Sequence, residues 1–300
     1  MIETCKSCTE FIKKTKNPDP SHLKRSFTKI NDCLHFAFDK KIICETVANY
    51  VPDTIVLAGN GSVEMPEGKD CWEILNDGMK KLGLVGPNGY GNGLDALTWI
   101  VAHNDMFGRT VNSSAPLDQI TDYKRQIIGP LSKCGTKSRE VYCICCDKKL
   151  RIPNSDKVLI LTTNWDLGLF QEYKSVVQLH GRCDYPDEAI LPLQNISSLM
   201  PKTSEDLTKF GSGFFPGPFL ERCLKNAKSF IFWGTGLNDY DAVLWHFLRG
   251  FLKNNSLSNP HFEMSIAAKN AESFDSARTK VSRFFPSIPI NTCLCRMLSF

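Results

Sequence analysis

The sequence predicts an α/β protein built on a doubly wound parallel sheet. Three observations carry that expectation. Short apolar runs recur along the chain without in-out alternation, helix-like stretches separate several of them, and small or polar residues stand where the runs end. Buried strands covered on both faces read as continuous apolar runs, and their alternation with helices implies crossover connections.

Residues 1–50 read as a helical extension. Phe11 and Ile12, then Leu23, Phe27, Ile30, Leu34 and Phe38, recur at helical spacing, with Asn17-Pro18-Asp19-Pro20 as the break between two helices. Such helices serve either as packing elements or as an oligomer interface, and the spacing alone does not choose. The main domain is then expected over 51–300. Thr54 to Ala58 is a β-branched, apolar strand that turns at Gly59-Asn60-Gly61, with Ser62 expected to open a helix. From about 65 to 151 strand character is lacking: Trp72, Leu75 and Met79, and later Leu94, Leu97, Trp99 and Ile100, have helical spacing, so a helical insertion capping the site is expected. The glycine-rich stretch from Gly83 to Gly93 lacks a Gly-Lys-Ser/Thr ending and follows a helix-like segment, which makes it a turn or lid rather than a phosphate loop.

Five further runs read as strands: Val158 to Thr162, Val176 to Leu179, Phe230 to Trp233, Met264 to Ala268 and Thr292 to Cys295. Helices are expected over Asp239 to Phe251 and Ala271 to Phe285. Asp239 and Asp241 read as the N-cap and first-turn acid of the first of these. The pattern as a whole is that of a Rossmann-like fold.

Composition narrows the function classes. With 300 residues, 42% of them hydrophobic, the chain can bury a large core, and one elaborated domain accounts for it better than two small ones. No run approaches the roughly 18 apolar residues of a membrane span, and the start of the chain lacks the basic and apolar regions of a signal peptide, so a cytoplasmic protein with no membrane contact is expected. A net charge of +4 is too small to predict autonomous nucleic-acid binding. The basic stretches Lys13 to Lys29 and Lys124 to Arg151 read as solvated helix faces.

The 13 cysteines are odd in number and lie in a long chain without a secretory signal, which favours reduced thiols over a disulfide framework. Cys5-x-x-Cys8 and the group Cys143, Cys145, Cys146 have partial metal-ligand spacing. No second Cys-x-x-Cys or histidine pair follows at a matching distance, so no metal is expected.

Four strings sit at run ends: Gly59-Asn60-Gly61-Ser62, Thr162-Thr163-Asn164-Trp165-Asp166, His180-Gly181, and Gly234-Thr235-Gly236-Leu237. In a doubly wound sheet these ends line the ligand crevice. Each string alone has an ordinary reading. Gly-x-Gly-Ser is as much a plain turn as a cofactor loop, Asn164 suits a helix cap or Asx turn, and His180 suits a strand end. In this order, however, they resemble the SIR2 (sirtuin-like) family, and the resemblance spans residues 52 to 298.

The resemblance implies an NAD site, with NAD as substrate. Breaking the nicotinamide–ribose bond passes through an oxocarbenium-like state with a good leaving group, so it needs a positioned amide, a base and a buried pocket more than an acid. On this reading Asn164 holds the ribose or a water, and His180 is the base. Asp166 orients the nicotinamide amide. Gly59, Asn60, Gly61 and Ser62 meet the pyrophosphate, while Gly234, Thr235, Gly236 and Asn270 hold the phosphates and adenosine ribose.

Two departures separate the chain from deacetylating sirtuins. Thr-Thr-Asn-Trp-Asp stands in place of Thr-Gln-Asn-Ile-Asp, and only Cys183 and Cys223 occur between His180 and Gly234, so the four-cysteine zinc module is missing. The resemblance therefore implies an NAD glycohydrolase of the NAD-depleting, anti-phage branch, acting as a homo-oligomer. A protein-lysine deacylase and a non-catalytic module that senses a nucleotide or docks onto an ATPase or Argonaute-type partner are the alternatives.

Overall fold

The computed structural model describes residues 50–65, 71–81, 122, 124–184, 186, 189, 217–236 and 242–298. The N-terminal extension up to residue 49, the Gly83 to Gly93 stretch, the segment Leu94 to Ile100 expected to be helical, Leu237, Asp239 and Asp241 lie outside the described residues.

The chain enters the sheet through β1 (Thr54–Ala58), whose five residues are all buried. A 3₁₀ turn, Asn60–Ser62, leads into β2 (Val63–Glu64), and α1 spans Cys71–Lys81. After a second 3₁₀ segment, Gly129–Lys133, come β3 (Lys137–Ser138), β4 (Val141–Cys143) and β5 (Lys148–Leu150). The sheet resumes with β6 (Val158–Thr162), α2 (Gly168–Glu172), β7 (Val176–Gln178), α3 (Gly217–Asn226) and β8 (Ser229–Trp233). It closes with α4 (Ala242–Ser258), β9 (Glu263–Ala267), α5 (Ala271–Phe284), β10 (Ile290–Asn291) and α6 (Leu294–Met297).

Six strands form one sheet in the order β10-β9-β8-β1-β6-β7, and every adjacent pair is parallel. Numbered among themselves along the chain, they run 3-2-1-4-5-6, the Rossmann arrangement. β1 lies in the middle, with Thr54 beside Val158 of β6 on one side and Ser229 of β8 on the other. Alternate residues of each central strand enter opposite cores. Ile55, Leu57, Leu159, Leu161, Phe230 and Phe232 pack with α3, α4 and α5 through Leu224, Leu248 and Phe274. Val56, Ala58, Val158, Ile160, Ile231 and Trp233 pack instead on Leu169 and Phe170 of α2 and Leu294 and Met297 of α6. Both faces being covered, the strands have to be apolar at every position, and each large side chain contributes about 1.5–3 kcal/mol of burial.

Three expectations need correction. No helix opens at Ser62. Its amide and hydroxyl both donate to the Gly59 carbonyl, at 2.9 and 2.6 Å, which closes a turn and sends the chain into β2, antiparallel to β3. The stretch 65–151 is not wholly helical either, because it holds β3 and the β4–β5 ribbon; strands of two or three residues, rich in lysine and cysteine, show no readable period. The last strand is Ile290–Asn291 rather than Thr292 to Cys295. Asn291 accepts the Cys293 amide at 2.8 Å in an Asx turn, and the chain coils into α6. Among the described residues no helix is long and apolar enough to cross a membrane.

Candidate functional site

The strand order reverses between β1 and β8, so their carboxyl ends open the crevice where ligands of such sheets bind. The two glycine turns meet there backbone to backbone. The Gly59 amide donates to the Trp233 carbonyl at 3.0 Å and the Gly61 amide to the Gly234 carbonyl at 2.8 Å. Gly234 has φ +58, and a β-carbon on it would stand 2.2 Å from both the Gly61 carbonyl carbon and the Ser62 nitrogen. One on Gly61 would meet the Gly234 oxygen at 2.9 Å, and one on Gly59 the Thr235 Cα at 2.7 Å.

The need for glycine is therefore met inside the protein. Rather than baring amides for a pyrophosphate, Gly59, Gly61 and Ser62 donate to carbonyls of their own chain, and the Ser62 hydroxyl is buried. Asn60 accepts from the Cys71 thiol at the start of α1.

The β6 exit carries Asn164, whose amide nitrogen Nδ2 donates to the Gly59 carbonyl at 3.2 Å and whose backbone N–H donates to Thr162 Oγ1 at 3.1 Å. At only 8% exposure, Asn164 joins this exit to the β1 turn. Two residues on, Asp166 Oδ1 accepts the Thr136 hydroxyl at 2.8 Å and the Gly168 amide at 2.9 Å. The β7 exit is pinned to the same loop: Trp165 Nε1 donates to the His180 carbonyl at 3.1 Å, and Gly181, at φ +80, turns the chain there. Asn164, Asp166 and the half-buried His180 thus belong to two adjacent, cross-linked strand exits.

Gln178 makes the cross-link complete and escaped the sequence reading. From the end of β7 its Nε2 donates to the backbone carbonyls of Asn164 and Asp166, at 3.0 and 2.6 Å. The signal was present, since a polar side chain inside the apolar run Val176 to Leu179 has to find partners once buried.

Asp166 is shown as a loop anchor. Burial raises its carboxyl above the usual range, and the bonds from Gly168 and Thr136 offset this only in part. The folded protein thus holds that proton more tightly than the unfolded chain does, so this group's contribution to stability falls as pH rises from the ordinary carboxylate range through the raised folded value. An amide oxygen accepts the same two bonds. Asp166→Asn is expected to unfold within about 1 kcal/mol of the parent near neutral pH and to lose that segment of pH dependence; denaturant titrations from pH 4 to 7 would check it.

A cleft of about 470 Å³ opens beside this loop system, over the ends of β8 and β9 and against α5. Gly61, Gly234, Thr235, Gly236 and Asn270 line it, whereas Asn164, Asp166 and His180 do not. The sequence-predicted residues thus divide between two neighbouring places bridged by the Gly59 turn. Asn270 is the N-cap of α5, its Oδ1 accepting the Ser273 amide at 2.9 Å. Lys280 donates from α5 to the Gly236 carbonyl at 3.4 Å.

Arg139, which falls in the basic stretch Lys124 to Arg151 expected to be a solvated face, also lines the cleft. Its backbone amide donates to the Ser62 carbonyl at 2.8 Å, and its Nε is buried without a hydrogen-bond partner. A cation with an unsatisfied donor beside the Gly234 turn is suited to an anionic ligand. Compared with known proteins, the chain matches no protein-family model and no curated protein.

Proposed function

We propose that the protein is an NAD glycohydrolase of the SIR2-like kind, cleaving NAD to nicotinamide and ADP-ribose and serving as an NAD-depleting effector in anti-phage defence. The observation that carries this reading is the bond from Asn164 Nδ2 to the Gly59 carbonyl, which joins the β6 exit to the glycine turn at the switch point, next to a cleft of nucleotide size. The adenosine diphosphate half occupies the cleft, with Arg139 and Lys280 facing its phosphates and the rim of α5 facing its ribose. The nicotinamide ribose reaches the Asn164 and His180 exits. There the C–N bond to nicotinamide breaks as water adds to the ribose carbon; Asn164 holds the ribose or the water, and His180 accepts the proton that water gives up.

Incubation of the full chain with NAD, with and without acetylated peptide and at concentrations that favour self-assembly, tests the activity. ADP-ribose and nicotinamide are expected without peptide; product formed only with peptide, as O-acyl-ADP-ribose, would sink the hydrolase. The placement of the phosphates is tested apart. On a His180→Ala background that spares the ligand, Arg139→Ala is expected to weaken NAD binding by about 10- to 100-fold, the usual contribution of one charge-assisted contact. Unchanged affinity in calorimetry would put the phosphates elsewhere.

A further inference from the structure

The turn between β4 and β5 carries Cys143, Cys145 and Cys146, and α6 brings Cys295 against it from the far end of the chain. The four sulfur atoms all lie within 4.8 Å of one another. Cys145 Sγ is 3.5 Å from Cys143 Sγ and 3.3 Å from Cys295 Sγ, and the Cys295 amide donates to Cys143 Sγ at 3.3 Å. The turn itself is tight: Asp147 has φ +54, and its amide donates to the Cys143 carbonyl at 2.9 Å.

We infer that Cys143, Cys145, Cys146 and Cys295 form a structural zinc site. Tetrahedral zinc with bonds of about 2.3 Å sets its sulfurs about 3.8 Å apart, within a few tenths of an ångström of the closest separations here. Four sulfur donors with no oxygen or nitrogen among them select zinc over magnesium or calcium, and a complete set of four protein ligands leaves no open position for catalysis. On binding, each thiol gives its proton to solvent and donates a sulfur pair to the ion.

The local fold supplies an independent reason. β4 and β5 are three residues each, α6 is four, and elements so short do not hold themselves together. The ribbon nonetheless braces the strand end that lines the cleft. The Tyr142 amide donates to the Ala268 carbonyl at 2.7 Å, two residues before the Asn270 cap of α5, so a metal tying the ribbon to α6 also fixes the cleft wall. Sequence spacing missed this because the fourth ligand is remote along the chain and the three near ones form no paired Cys-x-x-Cys motif.

The test is metal analysis of the full chain, purified from zinc-supplemented cells without chelator. One zinc per chain is expected, together with the absorption bands of tetrahedral thiolate cobalt after exchange into Co²⁺. Cys295→Ser and Cys145→Ser should each lose the metal, while Cys134→Ser, outside the cluster, should keep it. Cys145 is exposed, so its variant leaves the core intact. A chelator should lower the melting temperature of the parent and leave that of Cys145→Ser unmoved. Metal-free parent protein, a disulfide within the cluster, iron in place of zinc, or zinc retained by both cluster variants would each overturn the site.

Discussion

Asn164→Ala and His180→Ala are each expected to lower NAD cleavage by about 10²–10⁴-fold while the protein stays folded, the usual range for a positioned acid–base or orienting group. The structure makes the second half of that expectation specific. Asn164→Ala removes one bond to the Gly59 carbonyl, which keeps the Ser62 amide and hydroxyl as donors, so the loss is about 1 kcal/mol. His180→Ala leaves the Trp165 bond in place, because the acceptor is the backbone carbonyl and not the ring. Kinetics and thermal melts measured on the same preparations separate the effects. A fall in melting temperature that tracks the loss of activity would assign both side chains to the scaffold.

Gly234→Ala is expected to destabilise the fold severely, by on the order of 3–5 kcal/mol, or to prevent folding. Two effects act together: φ +58 disfavours any β-carbon, and the added atom would lie 2.2 Å from backbone atoms of Gly61 and Ser62, which belong to the rigid exit of β1 and cannot swing aside as a flexible side chain does. Gly250→Ala is the control. It lies within α4 with nothing inside 4 Å of the added carbon, so it should stabilise by about 0.5–1 kcal/mol. Denaturant unfolding of the two variants would settle the contrast, and near-parental stability of Gly234→Ala would contradict the packing of the two turns. The same geometry means that a bulky residue at Gly61 tests packing before it tests phosphate binding, which makes Arg139 the better probe of the ligand.

Five of the six sheet strands were legible in the sequence, and the last, Ile290–Asn291, was not. Thr54 to Ala58 and Val158 to Thr162 coincide with β1 and β6, the run Phe230 to Trp233 begins one residue inside β8, and the run Met264 to Ala268 is displaced by one residue from β9, because strands buried on both faces must be apolar throughout. The residues that end those runs were legible for the same reason: polar or glycine residues directly after a buried strand stand out against it. Their partners were not. That Gly61 and Gly234 require each other, that Gln178 ties the Asn164 loop to β7, and that Arg139 faces the cleft all depend on contacts between separate segments of the chain. No periodicity records such contacts. The thiol cluster is the clearest case, since Cys145 and Cys295 are 150 residues apart and meet only because the ribbon and α6 cover the same face of the sheet. Local pattern reports burial, which each residue senses alone; which buried or half-buried groups become neighbours is decided by strand order and crossovers, and these exist only in the folded sheet.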